Sequence, residues 1–267
     1  MSRRTYDTTN LADRDVAGRL RPGRLIVGVF RILATLLFIL SIPTAFATTT
    51  VRYVTNEQRV YRYAIDQYNG VATTGISRDE LLRGSAELRQ YFNDDQQTVR
   101  IRVTQQGKDV SLFNPRETDH LKDVKSRLDI MNKVQEFSVL YLLIYVAAVV
   151  LWAREITLRQ LSVRVMVGCL ITLLAIGGTA AFASSGFDLA WVRFHEVLFS
   201  GNWRFNPATD HLIQMFPPAF WQSIVFFIGV MVAAEAALML VACGIYLGVT
   251  SHKAAPRRLR PSYASQT

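Results

Sequence analysis

Cysteine is nearly absent from this 267-residue chain. Cys169 and Cys243 both lie inside hydrophobic stretches, so neither a disulfide framework nor a thiolate metal site can be read from them. Metal-site spacing is lacking as well: the four histidines form no HExxH or HxH pattern, and a metal-dependent membrane hydrolase would have to recruit the scattered His120, Asp123, His195 and Glu196. Acidic residues are few, 21 against 30 Lys and Arg, for a formal charge of +9. Evenly spread polarity is also missing. Half of the residues are hydrophobic, the mean hydropathy is +0.18, and the apolar residues cluster in long runs separated by polar stretches. Neither a disordered chain nor a binary-patterned soluble fold has that distribution. The fold class expected is a mainly α, polytopic membrane protein.

The runs cover residues 25–47, 137–153, 165–187 and 221–250. At about 1.5 Å per residue each approaches or exceeds what a hydrocarbon core of roughly 30 Å requires, the second with an upstream extension toward Leu128. Ala45-Phe46-Ala47 has the shape of a signal-peptide cleavage site, but the apolar stretch before it is too long and its basic flank too extended for such a segment. The intervening segments are a basic tail (1–24), a long polar stretch (48–136), a short link (154–164), an aromatic loop (188–220) and a second basic tail (251–267). The two tails and the link hold thirteen basic and four acidic residues, which accounts for the whole +9. That bias marks their side as cytoplasmic and the two remaining segments as the outer face of a cell membrane. Short basic membrane flanks make a nucleic-acid reading of the charge unnecessary.

Polar chemistry is concentrated in the outer segments. Ser77-Arg78-Asp79-Glu80 has the form of a capping box opening a helix. Val99-Arg100-Ile101-Arg102-Val103 alternates with period two, and a Gly-containing turn at 105–108 leads to a return strand at 110–113, so a small α+β cap with a hairpin is expected. One hairpin is marginal alone and must rest on other elements, the membrane helices being the candidates. Asn114-Pro115-Arg116-Glu117 then supplies an N-cap, a proline at the first helical position and a glutamate three residues after the cap. Leu121, Val124, Leu128 and Met131 continue as one apolar stripe, with His120 and Asp123 beside it on a shared face. A straight helix entering the membrane at Phe137 would hold His120 roughly 25 Å above the bilayer. Either the span begins nearer Leu128 or the helix bends at 129–132.

The second outer segment interleaves aromatic and polar residues: Trp191, Phe194, His195, Glu196, Phe199, Trp203, Phe205, Asp210, His211, Phe216 and Trp221. An interfacial aromatic belt accounts for the rings but not for the polar residues among them. A histidine at neutral pH both accepts and donates protons, which suits acyl transfer at a lipid interface. Glu235, deep in the last run, marks either a hydrogen bond between helices or a functional site, and at about 14 residues inward of Trp221, roughly 21 Å, it is expected on the inner side.

Phe194-His195, Trp203-Arg204-Phe205-Asn206-Pro207, Asp210, Leu212-Ile213 and Phe216-Pro217 resemble the signature of the bacterial lipoprotein intramolecular transacylase (Lit) family. Glu117, His120-Leu121 and Asp123-Val124-Lys125 resemble that family's other motif, while Asn206 and Pro218 depart from its pattern. The resemblance implies transfer of the sn-2 acyl chain of a diacylglyceryl-modified bacterial lipoprotein to the α-amine of its N-terminal cysteine, giving a lyso-form lipoprotein. By analogy His120 and His195 are the catalytic pair. Glu117, Asp123, Glu196, Trp191, Phe194, Trp203 and Asp210 are candidates for supporting or orienting roles. No cofactor or metal is implied; the partners are lipoproteins and membrane lipids, and no nucleic acid. A non-catalytic protein whose cap binds a partner is the competing class.

The charge asymmetry fixes an orientation that labelling can test. A cysteine placed at Gln106 should react with an impermeant thiol reagent from outside, whereas one at Ser251 should react only after permeabilisation; labelling at Ser251 in intact cells would overturn the orientation.

Overall fold

The computed structural model describes residues 22–152, 157–184, 186–199, 201 and 203–253. The basic tail up to Arg21, Arg154 and Glu155 of the link, Asn202, and Arg257, Arg258 and Arg260 lie outside the described residues.

The four apolar runs fold as the long helices α1 (Pro22–Asn56), α5 (Pro115–Leu151), α6 (Leu158–Ser184) and α9 (Pro218–Lys253), each long and apolar enough to cross a membrane. Helix α1 touches the other three, and α9 lies along α6. Between them Phe38, Ile42, Val149, Leu161, Cys169 and Ala236 form a compact inner core. The outward faces carry exposed side chains such as Leu33, Leu143, Leu174 and Phe226, as a hydrocarbon surrounding requires. Small residues allow the closest approach. A Cβ built at Gly168 would lie 2.6 Å from Ile42 Cδ1 and 3.1 Å from the Ile39 carbonyl oxygen, so α6 meets α1 almost backbone to backbone there.

Polar side chains tie the helices together. Thr50 donates to Glu235 at 3.1 Å, and Arg52 donates to Gln135 at 2.8 Å and Glu136 at 3.1 Å. Glu235 therefore makes the hydrogen bond between helices that was one of its two readings. Its depth is corrected, however: it lies level with Thr50, near the cap end of α1, and not on the inner side. The reason is that Trp221 stands in the cap against Trp191 and α1 continues past its apolar run to Asn56, so fourteen residues along α9 reach only the level of Thr50.

The cap comprises α2 (Gln58–Gln67), α3 (Gly70–Thr74), α4 (Arg78–Tyr91) and the antiparallel pair β1 (Arg102–Gln105) and β2 (Lys108–Ser111). Val103 pairs with Val110, and the connection Gln106-Gly107 has φ 51° and 75°, the double left-handed geometry of a tight hairpin turn. The expected capping box at Ser77 is only half closed. The Ser77 hydroxyl accepts from Glu80 N–H, but the Glu80 carboxylate turns to the N–H of Thr104 at 2.6 Å and so fastens α4 to the hairpin. Ile101, Val103 and Leu112 pack with Leu81 and Leu88 of α4, and this core runs on through Leu121 into Met215, Phe216, Phe220 and Ile224. The hairpin thus rests on α4 first and on the membrane helices through it. Lys125 of α5, buried, donates to the carbonyls of Tyr91, Asp94 and Gln96, locking the chain after α4 to the same helix.

One feature follows an alternative that the sequence left open, early membrane entry near Leu128, and a second departs from the sequence reading. Helix α5 is unbroken over 37 residues, and large apolar side chains become exposed from Ile130 onward, at Val134, Phe137 and Leu140. The span thus begins near Ile130, and its first four turns stand in the cap, with His120 about 15 Å above that point along the helix. The aromatic segment after α6 is no simple loop: α7 (Phe187–Leu198) and α8 (His211–Met215) form within it. Phe187, Trp191, Phe194 and Leu198 recur at helical spacing, with rings stacked at 5.8 and 6.0 Å, a period hidden by the abundance of aromatic residues around it. The fold class stands as expected: four membrane helices under a small α+β cap.

Replacing Gly168 by Ala should push α6 away from Ile42 and the Ile39 carbonyl, costing about 1–3 kcal/mol. Gly177, with nothing within 4 Å of a built Cβ, is the control. Thermal unfolding in detergent should show a lowered midpoint for Gly168→Ala and none for Gly177→Ala; equal midpoints would refute the close packing.

Candidate active site

Helix α7 ends in a layer of rings around His195, which is 5% exposed. Its imidazole lies 4.2 Å from the Trp191 ring, 4.7 Å from Trp203, 5.3 Å from Phe194 and 5.4 Å from Phe199, centroid to centroid. Trp191 in turn stacks on Trp221 at the start of α9. His195 Nδ1 stands 2.9 Å from the Trp191 carbonyl oxygen, one turn back. A carbonyl only accepts, so Nδ1 carries the hydrogen, and the Nε2 lone pair is left for other chemistry.

His120, on the first turns of α5, stacks over His195 with ring centroids 6.1 Å apart and planes at 21°. Phe199 at 4.8 Å and Phe205 at 5.3 Å close its other sides. Burial lowers the pKa of His120 to about 4; neighbouring His195 adds to the depression and Asp123 opposes it. His195 is lowered as well, by burial, with its bond to the Trp191 carbonyl pulling the other way. Both imidazoles are therefore neutral at pH 7, and each can accept a proton. Two stacked bases in an aromatic enclosure are suited to moving protons at one reacting centre.

The pair is assembled by a clamp between the start of α5 and the segment before α9. Asn114 caps α5 and forms a complete capping box with Glu117, the motif the sequence shows. Glu117 is buried, and its carboxylate accepts from Asn114 N–H at 2.7 Å and from Leu212 N–H at 2.6 Å, so one side chain caps α5 and captures α8 together. Burial raises its pKa, while those two donors act against the rise. Asp210, also buried, accepts from Asn114 Nδ2 at 3.0 Å and from Asn206 N–H at 2.7 Å. The His211 imidazole meets the Leu112 carbonyl at 2.7 Å, and Arg116 donates to the Arg204 carbonyl at 3.0 Å. Glu117 and Asp210 thus hold the two halves together rather than contacting the histidine rings. Asn206 fits this role through its backbone N–H and through a turn in which its side chain accepts from Ala208.

Of the other candidates, Trp191, Phe194 and Trp203 line His195, and Asp123 sits one turn beyond His120. Glu196 does not join them; it forms an exposed pair with Arg193 at 2.8 Å on the far side of α7. Among the described residues no group of three or more His, Cys, Asp or Glu side chains is placed to hold a metal ion. The sequence reading passed over Phe199 and Phe205 as site residues, although the i,i+4 spacing of Phe199 from His195 was a usable signal. It also passed over Arg127, seven residues after His120 and hydrogen-bonded to the Leu198 carbonyl.

The profile of the family described as lipoprotein intramolecular transacylase Lit matches residues 35–221. No curated protein matches the chain in sequence. Among solved structures the fold is similar to the in meso structure of the membrane integral lipoprotein intramolecular transacylase Lit from Bacillus cereus, with a TM-score of 0.70 at 20% identity over 85% of this chain and 100% of that one. Structures of the Bacillus cereus protein with one histidine replaced by arginine (TM-score 0.67, 19% identity, 86% of this chain and 96% of that one) or by alanine (0.68, 19%, 86% and 99%) are similar too.

The lowered imidazoles carry a pH signature. An unfolded histidine titrates near 6.5, so the stability conferred by these neutral sites is complete above about pH 6.5 and is lost as the pH falls toward 4. Carbon-13 NMR of labelled imidazoles should show a resonance, missing in His120→Asn, with a midpoint near pH 4. The unfolding midpoint should drop between pH 7.5 and 5, and drop less in that variant. A His120 midpoint near 6.5 would contradict the desolvated, neutral pair.

Proposed function

Since the chain belongs to the lipoprotein intramolecular transacylase family, we propose that His120 and His195 act as one unit on a diacylglyceryl-modified lipoprotein at the outer face of the membrane. The α-amine of the N-terminal cysteine attacks the carbonyl carbon of the sn-2 ester. A C–N bond forms, the bond from the acyl carbon to the glyceryl oxygen breaks, and the product carries an amide and a free glyceryl hydroxyl. The amine enters as an ammonium group, with a reference pKa near 8, and must lose a proton before attack and a second as the amide forms; the departing oxygen takes one up. One imidazole receives the first proton and passes it to solvent; the other receives the second and delivers it to the departing glyceryl oxygen.

Nucleophile and ester belong to the same molecule, so no covalent enzyme intermediate is required. Holding them in register is itself worth roughly 7–11 kcal/mol of the barrier. The ring enclosure of Trp191, Phe194, Phe199, Trp203 and Phe205 supports this by keeping water from the ester. The observation that carries the reading is the 6.1 Å separation of two neutral imidazoles drawn from different helices, His195 buried and His120 half-buried.

Mass spectrometry of lipoprotein N-termini in a host that makes only diacyl forms tests it. Expression of this chain should yield N-acyl, lyso-glyceryl termini. His120→Ala and His195→Ala should each lower that product by about 10²–10⁴-fold at unchanged membrane expression. The double variant should be little worse than either single one, because residues acting as a unit are not additive. His211→Ala, which loses a bond to a backbone carbonyl, should retain substantial activity. Full product from either single variant would remove the mechanism.

A further inference from the structure

A site with two neutral bases lacks the charge its substrate demands. The substrate's α-amino group arrives as a cation that gives up hydration on entering; ring faces repay part of that cost, and an anion beside them repays more. The described carboxylates around the pair are otherwise engaged. Glu117 is filled by two backbone N–H groups, Asp210 by Asn114, Asn206 and Thr209, and Glu196 by Arg193. Asp119 lines a groove with Thr98 and His211 on another side of α5.

Asp123 is different. On α5 the residues His120, Asp123 and Arg127 form a face at i, i+3 and i+7, and the chain leaving α7 runs along it. Phe205 lies against His120, a Cβ built at Gly201 would be 3.6 Å from Asp123 Oδ2, and the Leu198 carbonyl accepts from Arg127 at 3.1 Å. The Asp123 carboxylate therefore forms part of the site wall. It is exposed, and it has no hydrogen bond or ion pair among the described residues. Arg127, at the spacing where a helical ion pair would form, is turned to the backbone of Leu198 instead.

Resting on the transacylase reading above, we propose that Asp123 receives the substrate's α-ammonium group and so selects a free N-terminus. Residues three apart on a helix have Cβ atoms roughly 5–6 Å apart, so an ammonium held by Asp123 lies within reach of the His120 ring, which takes its proton. Recognition and deprotonation of the nucleophile thus fall to adjacent turns of one helix. Once neutral, the amine is no longer held by charge and is free to turn toward the ester.

Binding to a substrate that cannot react separates this role from one exerted through His120. The probe is a lipopeptide whose sn-2 chain is ether-linked, prepared with the free α-amine and as its des-amino analogue, and titrated against the full-length protein in nanodiscs. The wild type should bind the amine form about tenfold more tightly, a difference of about 1.4 kcal/mol. Asp123→Asn should bring the ratio to about one, Asp123→Glu should restore most of it, and Asp119→Asn should leave both ratio and activity unchanged. An unaltered ratio in Asp123→Asn, even with activity lost, would overturn the proposal, since the carboxylate would then act only on the imidazole. If the wild type bound neither lipopeptide, the transacylase reading itself would fall and this inference with it.

Discussion

One buried carboxylate organises the cap half of this protein. Glu117 takes the N–H of Asn114 and the N–H of Leu212, two groups nearly a hundred residues apart in sequence. A buried N–H without an acceptor costs about 1–3 kcal/mol, so a single side chain removes two such penalties and fixes the start of α5 against the segment leading into α9. Asn114, His211 and Arg116 add three further ties at the same seam. The residues from Trp203 to Phe205 are suspended from this seam, and with them the part of the ring wall that Trp203 and Phe205 supply. The geometry of the site is thus a by-product of how a helix is capped.

Electrostatics and enclosure follow from that seam. Two imidazoles brought together among rings cannot both hold protons, because each is desolvated and each would repel the other's charge. The site thereby keeps two proton acceptors at neutral pH. Charged side chains lie at its edge instead: Asp123 beside His120, Arg204 on the outer side of the Trp203 ring, and Arg127 below. In the reaction proposed above, proton transfer and substrate charge fall to different groups a helical turn apart.

Local signals with a short reach were legible in the sequence. The capping box at Asn114, the turn at Gln106-Gly107 and the four apolar runs each depend on residues only a few positions apart, and each appears in the structure. The juxtaposition of His120 and His195 came only from a family resemblance; nothing in residue spacing places them together. Partners chosen by tertiary packing were not legible. Glu80 leaves its own cap for Thr104, Glu196 turns to Arg193, and Glu235 meets Thr50 at a height that counting from Trp221 could not give. Helix α7 was obscured for another reason: Phe199, Trp203 and Phe205 follow it directly, so the period of Phe187, Trp191 and Phe194 stands out poorly from the rings around it.

The continuity of α5 constrains how the molecule can vary. Cap and membrane span share one helix with no joint between His120 and Ile130, so adding or removing a residue in that interval would swing the imidazole by about 100° about the axis and shift it by about 1.5 Å. The ring wall, hung from separate elements, would not follow. Only changes close to a whole turn, three or four residues and about 4.5–6 Å at a time, would bring the histidine back near the same bearing. Catalytic height above the bilayer is in this sense stepped: the fold can stand taller or shorter by a rung, but not by part of one.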